Sequence, residues 1–259
     1  MTFTDAKQRF SNRVSDYVRS RPSYPPELLS LLRTECSLSP SHVVADVGSG
    51  TGLLARLFLD NGNRVFGIEP NHGMRSAGEE FLAAYPAFTS VAASAEATSL
   101  APHSVDFVAA GQAFHWFEPA PTRAEFLRIL KPGGTVVVVW QDLRVHGAPF
   151  SAAYEELLSR FGTDYARVRA AYPEPERIRG FYAGGTFHAR ELANSQSFDW
   201  DGLCGRISSS SFAPTPDQPD FAPMMVELRS LFDTCQVAGQ VRIEYVVKVY
   251  FGSLDGISR

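Results

Sequence analysis

Five short apolar segments, each rich in β-branched residues, alternate with helically spaced stretches between His42 and Trp140, and this alternation constrains the fold more than any other feature. The pattern predicts strands over residues 42–47, 64–69, 89–93, 105–110 and 135–140, and helices over 53–59, 72–84 and 121–130. Lys131-Pro132-Gly133-Gly134 reads as the turn before the fifth strand. Parallel strands need a crossover between them, and a helical crossover covers one face of the sheet. Strands of this kind separated by helices therefore specify a mostly parallel sheet with helices on both faces.

The flanks follow a different rhythm. Residues 5–19 predict a helix with Phe10, Val14, Tyr17 and Val18 on one face, ended by the prolines of Arg21-Pro22-Ser23-Tyr24-Pro25-Pro26. A second helix runs through Leu28, Leu29, Leu31 and Leu32. Beyond Trp140 the pattern predicts a helix near 150–161, a polar stretch around 172–179, strands over 188–198 and 241–251, and helical segments over 200–208 and 219–235. Ser208 to Ser211, followed by Pro214, Pro216 and Pro219, reads as a loop. The expected organisation is one continuous domain. It has an N-terminal helical lid at 1–40, a core at 41–141, a cap insertion at 142–186 and a C-terminal completion of the sheet at 187–259.

Composition excludes several classes. With 259 residues, 44% hydrophobic and 20% charged, the chain suits one large packed domain. A net charge of −4 gives no overall field for nucleic acid or anionic lipid. Cys36, Cys204 and Cys235 are far apart and lack metal-ligand spacing, so they read as reduced structural thiols. No basic-then-apolar leader follows Met1, and no apolar run reaches the roughly 20 residues of a membrane span, so cytoplasmic residence is the expectation.

The chemistry lies where the first strand ends, in Asp46-Val47-Gly48-Ser49-Gly50-Thr51-Gly52. Gly48 and Gly50 have no Cβ, so the chain turns sharply and a ligand can approach the backbone, while the next helix offers unpaired N–H groups. Glu69 closes the second strand, where an acid can accept both ribose hydroxyls of an adenosine. The dinucleotide fingerprint G-x-G-x-x-G needs a third glycine at position 53. That residue is Leu53, whereas Gly48, Gly50 and Gly52 fit G-x-G-x-G.

These segments resemble the class I S-adenosylmethionine-dependent methyltransferases. The glycine loop is similar to their first motif, Ile68-Glu69-Pro70 to their ribose-binding motif, Ala95-Glu96 to their adenine loop, Ala110-Gly111-Gln112 to the end of their fourth strand, and Ile129 to Gly134 to the turn before their fifth. The likeness implies a Rossmann-like seven-stranded sheet and S-adenosyl-L-methionine as cofactor, leaving S-adenosyl-L-homocysteine. Asp46, Gly48, Ser49, Gly50, Gly52, Glu69, Pro70, Ala95, Glu96, Gly111 and Gln112 would contact it. A narrower likeness covers Phe10, Tyr17, residues 21–25, Gln112 to Phe117 and Leu203 to Phe212, and is to a subgroup related to trans-aconitate methyltransferases, which makes a carboxylic acid a lead for the acceptor.

Methyl transfer is an in-line displacement, so the protein must align donor and acceptor and exclude water more than it must supply a reactive group. A carboxylate acceptor needs no base; a hydroxyl or amine does. His115, beyond the fourth strand, is either that base or a pocket wall with Phe114 and Trp116. Arg21 and Arg206 are candidates to clamp an anion, because a guanidinium presents a planar fork matched to carboxylate, and each is otherwise a solvated surface cation. Tyr17 and Tyr24 either close over the cofactor or simply pack. Asp46 either orders the loop and the methionine amine or caps the following helix, and Glu96 is either an adenine contact or a solvated acid. The expected partner is a small molecule, with the protein a monomer or homodimer. RNA or protein methylation, and cofactor binding without catalysis, are the competing functions.

Overall fold

A computed structural model describes residues 21–163, 165, 175–210 and 212–256. The helix expected over residues 5–19, with Tyr17, lies outside the described residues.

A seven-stranded sheet forms the centre, in the order β3-β2-β1-β4-β5-β7-β6. Its strands are β1 (Val43–Val47), β2 (Arg64–Ile68), β3 (Phe88–Val91), β4 (Val105–Gly111), β5 (Leu130–Leu143), β6 (His188–Phe198) and β7 (Val241–Gly252). The first five in sequence pair in parallel, and β7 runs antiparallel to both its neighbours, β5 and β6. The mostly parallel seven-stranded sheet expected from sequence is therefore the one observed. Val105 to Ala110 of β4 and Val136 to Val139 of β5 are all inaccessible or nearly so, as a sheet covered on both faces requires.

Among the described residues the helices are α1 (Glu27–Cys36), α2 (Leu53–Asp60), α3 (His72–Phe81), α4 (Pro119–Ile129), α5 (Pro149–Phe161), α6 (Pro175–Phe181), α7 (Trp200–Ser208) and α8 (Phe221–Cys235). α3 ends earlier than its periodicity suggests, because Pro86 disfavours helical backbone at Tyr85 and the chain turns at Leu82. The Lys-Pro-Gly-Gly segment lies within β5 as an irregularity: Val105 pairs with Leu130, but Phe107 already pairs with Thr135. Gly133, with φ of +71°, takes the left-handed backbone of that bulge.

Side chains gather into three clusters. Leu28, Leu32, Leu54, Phe58 and Phe107 pack α1 and α2 on one face of the sheet. Phe114, Phe126, Trp140, Ile178, Phe181 and Tyr182 pack α4 and α6 on the other. A third cluster unites α5, α7 and α8 through Tyr154, Leu158, Leu203, Ile207, Leu228 and Phe232, together with Val241, Ile243 and Tyr245 at the start of β7. The two described helices of the 142–186 segment therefore serve different clusters. The first half of β7 runs past the carboxyl end of β5 into the third one, which places a helical layer beside the edge where open α/β sheets bind ligands.

Candidate active site

The glycine turn is built on the ends of β1 and β2. The Gly48 and Ser49 N–H groups both donate to Ile68 O, at 2.8 and 3.1 Å, and Gly52 N donates to Ser49 O at 2.8 Å. Gly48, Gly50 and Gly52 adopt φ of +69°, +55° and +83°, and Gly52 is the N-cap of α2. A Cβ on Gly48 would lie 2.5 Å from Ala113 Cβ, so the loop packs directly against the segment after β4. Glu69 holds the turn from the side: its Oε2 accepts from Gly50 N at 3.0 Å and its Oε1 from Asn71 N at 2.8 Å. Pro70 is exposed and carries the chain to Asn71, which caps α3 by accepting from Met74 N at 3.0 Å.

Asp46 sits beneath this turn, 1% exposed, and neither carboxylate oxygen meets a hydrogen-bond partner of good geometry among the described residues. Burial pushes its pKa up to about 7; the Ala55 N–H opposes this, and the Glu69 charge adds a smaller part to the rise. It does not cap α2, whose N-cap is Gly52 without a side-chain bond. Thr51 Oγ1, in the same turn, is likewise buried and meets no hydrogen-bond partner among the described residues.

At the carboxyl end of β4 the Tyr24 ring lies against Gly111, where a Cβ would collide with it and come within 3.0 Å of Leu54 Cδ2. Tyr24 is buried. Gln112 adopts φ of +55° and turns its amide onto β5: Nε2 donates to Gln141 O at 3.0 Å, and Oε1 accepts from Gln141 N at 3.1 Å. The Gln141 side chain in turn donates to Pro22 O at 3.4 Å and accepts from Asn194 Nδ2 at 2.7 Å, while Asn194 also donates to Ser23 O at 2.7 Å. Residues 21–26 are thus strapped over the sheet edge by side chains of β5 and β6.

His115 lies in a 3-10 turn, Phe114–Trp116, with its ring 4.4 Å from that of Trp116 and 5.1 Å from that of Trp140. Burial, reinforced by the nearby Arg177 charge, lowers its pKa to about 3, so the imidazole is neutral at physiological pH. Ala95 is buried near the β3 edge, and Glu96 is turned away to the start of α4, where its Oε1 accepts from Glu118 N at 3.1 Å and Thr122 Oγ1 at 3.4 Å.

Arg206 is not a surface cation: it is 6% exposed, with Nη1 donating to Ser210 Oγ at 3.0 Å and Nε to Tyr245 Oη at 3.4 Å. Arg21 is half-buried, and its Nη2 donates to Ser209 O at 3.2 Å. The structure therefore gathers Asp46, the glycines and Glu69 into one cradle, with Gly111 and Gln112 on its rim, and the two arginines into a second group under α5 and α7. Sequence reasoning misses Gln141, Asn194, Trp140 and Tyr154. Gln141 had a signal, a polar residue directly after an apolar run, whereas Tyr154 is one more aromatic at helical spacing.

A parallel sheet reversed at β7, with a glycine turn and an acid at the ends of its first two strands, defines a Rossmann-like fold. The methyltransferase-domain family matches residues 45–138. An uncharacterized methyltransferase of Mycobacterium tuberculosis is 34% identical over 171 residues, 66% of this chain and 67% of the relative. One from Schizosaccharomyces pombe is 29% identical over 152 residues, 58% and 59% of the two chains. Among solved structures, one from Anaeromyxobacter dehalogenans, provisionally described as a type II methyltransferase, matches with a TM-score of 0.65 at 22% identity, over 92% of this chain and 99% of the other. Haemonchus contortus phosphoethanolamine N-methyltransferase 2, in complex with phosphomonomethylethanolamine and S-adenosylhomocysteine, matches with a TM-score of 0.57 at 18% identity, over 96% and 58%. The chain belongs to the methyltransferase family. No helix among the described residues is long and apolar enough to cross a membrane.

Proposed function

We propose that the chain transfers a methyl group from S-adenosyl-L-methionine to a small-molecule acceptor, leaving S-adenosyl-L-homocysteine. One observation carries the donor assignment: Asp46, a buried carboxyl whose oxygens meet no hydrogen-bond partner of good geometry among the described residues, directly under a glycine turn. A carboxylate in that position favours a cationic partner, and the amine of a methionine tail supplies one. Glu69 accepts the Gly50 and Asn71 N–H groups at the end of the second strand, where an acid is placed to accept ribose hydroxyls. Ala95 lines the adenine side, whereas Glu96 serves α4 and contributes through the loop that it anchors.

The bound donor supplies an electrophilic methyl carbon on a sulfonium. The chain's own contribution is alignment and the exclusion of water. Trp116, Phe114 and Trp140 form apolar walls around His115. With a pKa near 3, His115 is a poor proton acceptor at neutral pH, so it lines the acceptor pocket and does not act as base. An acceptor that arrives as an anion suits such a site, because nothing has to remove its proton. The net charge of −4 favours a small acceptor over RNA.

The test is to incubate the protein with methyl-labelled donor and a metabolite extract and to identify the labelled product. We expect label in a low-molecular-weight compound, and calorimetric binding of both the donor and its demethylated product. Folded protein that gives neither heat nor thermal shift with either would end this reading.

A further inference from the structure

Tyr154, in α5, is inaccessible to solvent, and its hydroxyl meets no hydrogen-bond partner among the described residues. A buried hydroxyl without a partner is destabilising, and packing does not call for it, since phenylalanine fills nearly the same volume. Tyr182 makes the contrast. It too is fully buried, but its Oη bonds to Val136 O and Tyr250 O, each at 3.2 Å.

Tyr154 packs in one cluster with Tyr245, whose Oη accepts from Arg206 Nε at 3.4 Å, and Arg21 bonds Ser209 O, next to the Ser210 that Arg206 holds. Burial dominates and pushes the Tyr154 pKa up to about 12; the Arg206 and Arg21 charges oppose that rise and Tyr245 adds to it. The hydroxyl stays protonated and is a donor throughout the physiological range. Arg206 comes from α7, Arg21 from the strap, Tyr245 from β7, and Gln196, which accepts from Tyr245 Oη at 3.0 Å, from β6. Tyr245 pairs with Leu143, beyond the point where Val139 pairs with Gly111 at the end of β4. The group therefore lies past the carboxyl edge of the sheet, tied to Gln112 through Gln141, Asn194 and the strap.

We propose that this cluster is an oxyanion-anchoring subsite for the methyl acceptor, in which Tyr154 Oη donates to a carboxylate or phosphate oxygen drawn in by Arg206 and Arg21. The proposal rests on the methyltransferase reading above and adds the acceptor's class: a small molecule with an oxyanion away from the cofactor cradle. Tyr154 is here a specificity residue and takes no part in the displacement.

The test titrates the full chain, loaded with S-adenosyl-L-homocysteine, with succinate, inorganic phosphate and neutral succinamide. We expect saturable binding of at least one anion and none of succinamide; the anion that binds distinguishes a carboxylate from a phosphate acceptor. Tyr154→Phe should weaken that anion about 10- to 100-fold, as loss of a hydrogen bond to a charged group does. It should leave cofactor-product affinity unchanged and the Tm of the ligand-free protein unchanged or higher. Tyr182→Phe, which loses satisfied bonds, should lower the Tm and leave anion affinity alone.

Three results would each overturn the subsite: no binding of either anion, succinamide binding equally well, or Tyr154→Phe lowering the Tm without weakening the anion. Cofactor-product binding is measured first on the same preparation. If it is absent, the donor assignment falls, and titrations of the unloaded protein still decide the subsite.

Discussion

At neutral pH the Asp46 carboxyl is close to half-protonated, because burial has moved its pKa from 3.8 to about 7. The folded state therefore holds this proton more tightly than the unfolded chain does. Below about pH 4 both states are protonated and the group is neutral in its effect. Between about pH 4 and 7 the unfolded chain ionises first, so stability falls as pH rises, by up to about 4 kcal/mol for a shift of this size, and the loss is complete above pH 7. We expect Asp46→Asn to raise the Tm of the ligand-free protein at pH 8, to flatten its decline between pH 5 and 7 in scanning calorimetry, and to weaken cofactor binding at least tenfold. A lower Tm at pH 8 would mean that the carboxylate is satisfied in the fold. Asp46 was legible in sequence as a candidate cofactor residue from its place before the glycines. Its missing partners were not, since satisfaction depends on which groups arrive from elsewhere in the chain.

The turn between β1 and α2 gives two glycines different duties. At Gly48, a side chain meets both a left-handed backbone, φ +69°, and the Ala113 Cβ at 2.5 Å, with Phe117 Cζ at 3.4 Å. At Gly50, with φ of +55°, the nearest obstacle is the flexible Met74 Cε at 3.3 Å. Gly48→Ala should therefore cost about 2–4 kcal/mol of stability, from left-handed strain plus overpacking. Gly50→Ala should cost only about 1–2 kcal/mol, from left-handed strain alone, yet lose cofactor-product affinity, because its Cβ projects beside the amide that Glu69 holds. Urea denaturation paired with calorimetry separates the two; equal stability losses would refute the distinction. The spacing of Gly48, Gly50 and Gly52 announced this turn in advance. The Gln112 to Gln141 pairing that braces the neighbouring strand end was hidden, because two amides 29 residues apart carry no periodic signal.

Across the whole molecule, periodicity placed nearly every strand and helix on the chain, since each element's buried face repeats with its own period. It said nothing of partners. That α5 packs with α8, and that Arg206 reaches Tyr245, follow from the route of β7, which no local pattern encodes. Because β7 contributes both to the sheet and to the third cluster, the two should unfold together. Leu228→Ala, at a fully buried position of α8, is expected to lower one shared transition by about 2–5 kcal/mol. A separate early transition seen by near-ultraviolet dichroism would show the helical layer melting on its own.

The position of β7 also sets a timetable for biosynthesis. Leu143 of β5 pairs with Tyr245, so about 100 residues must be translated before that edge finds its neighbour. At about 5–20 residues per second, a nascent chain carries an uncovered valine-rich strand for roughly 5–20 s, long enough for a chaperone to be its first companion.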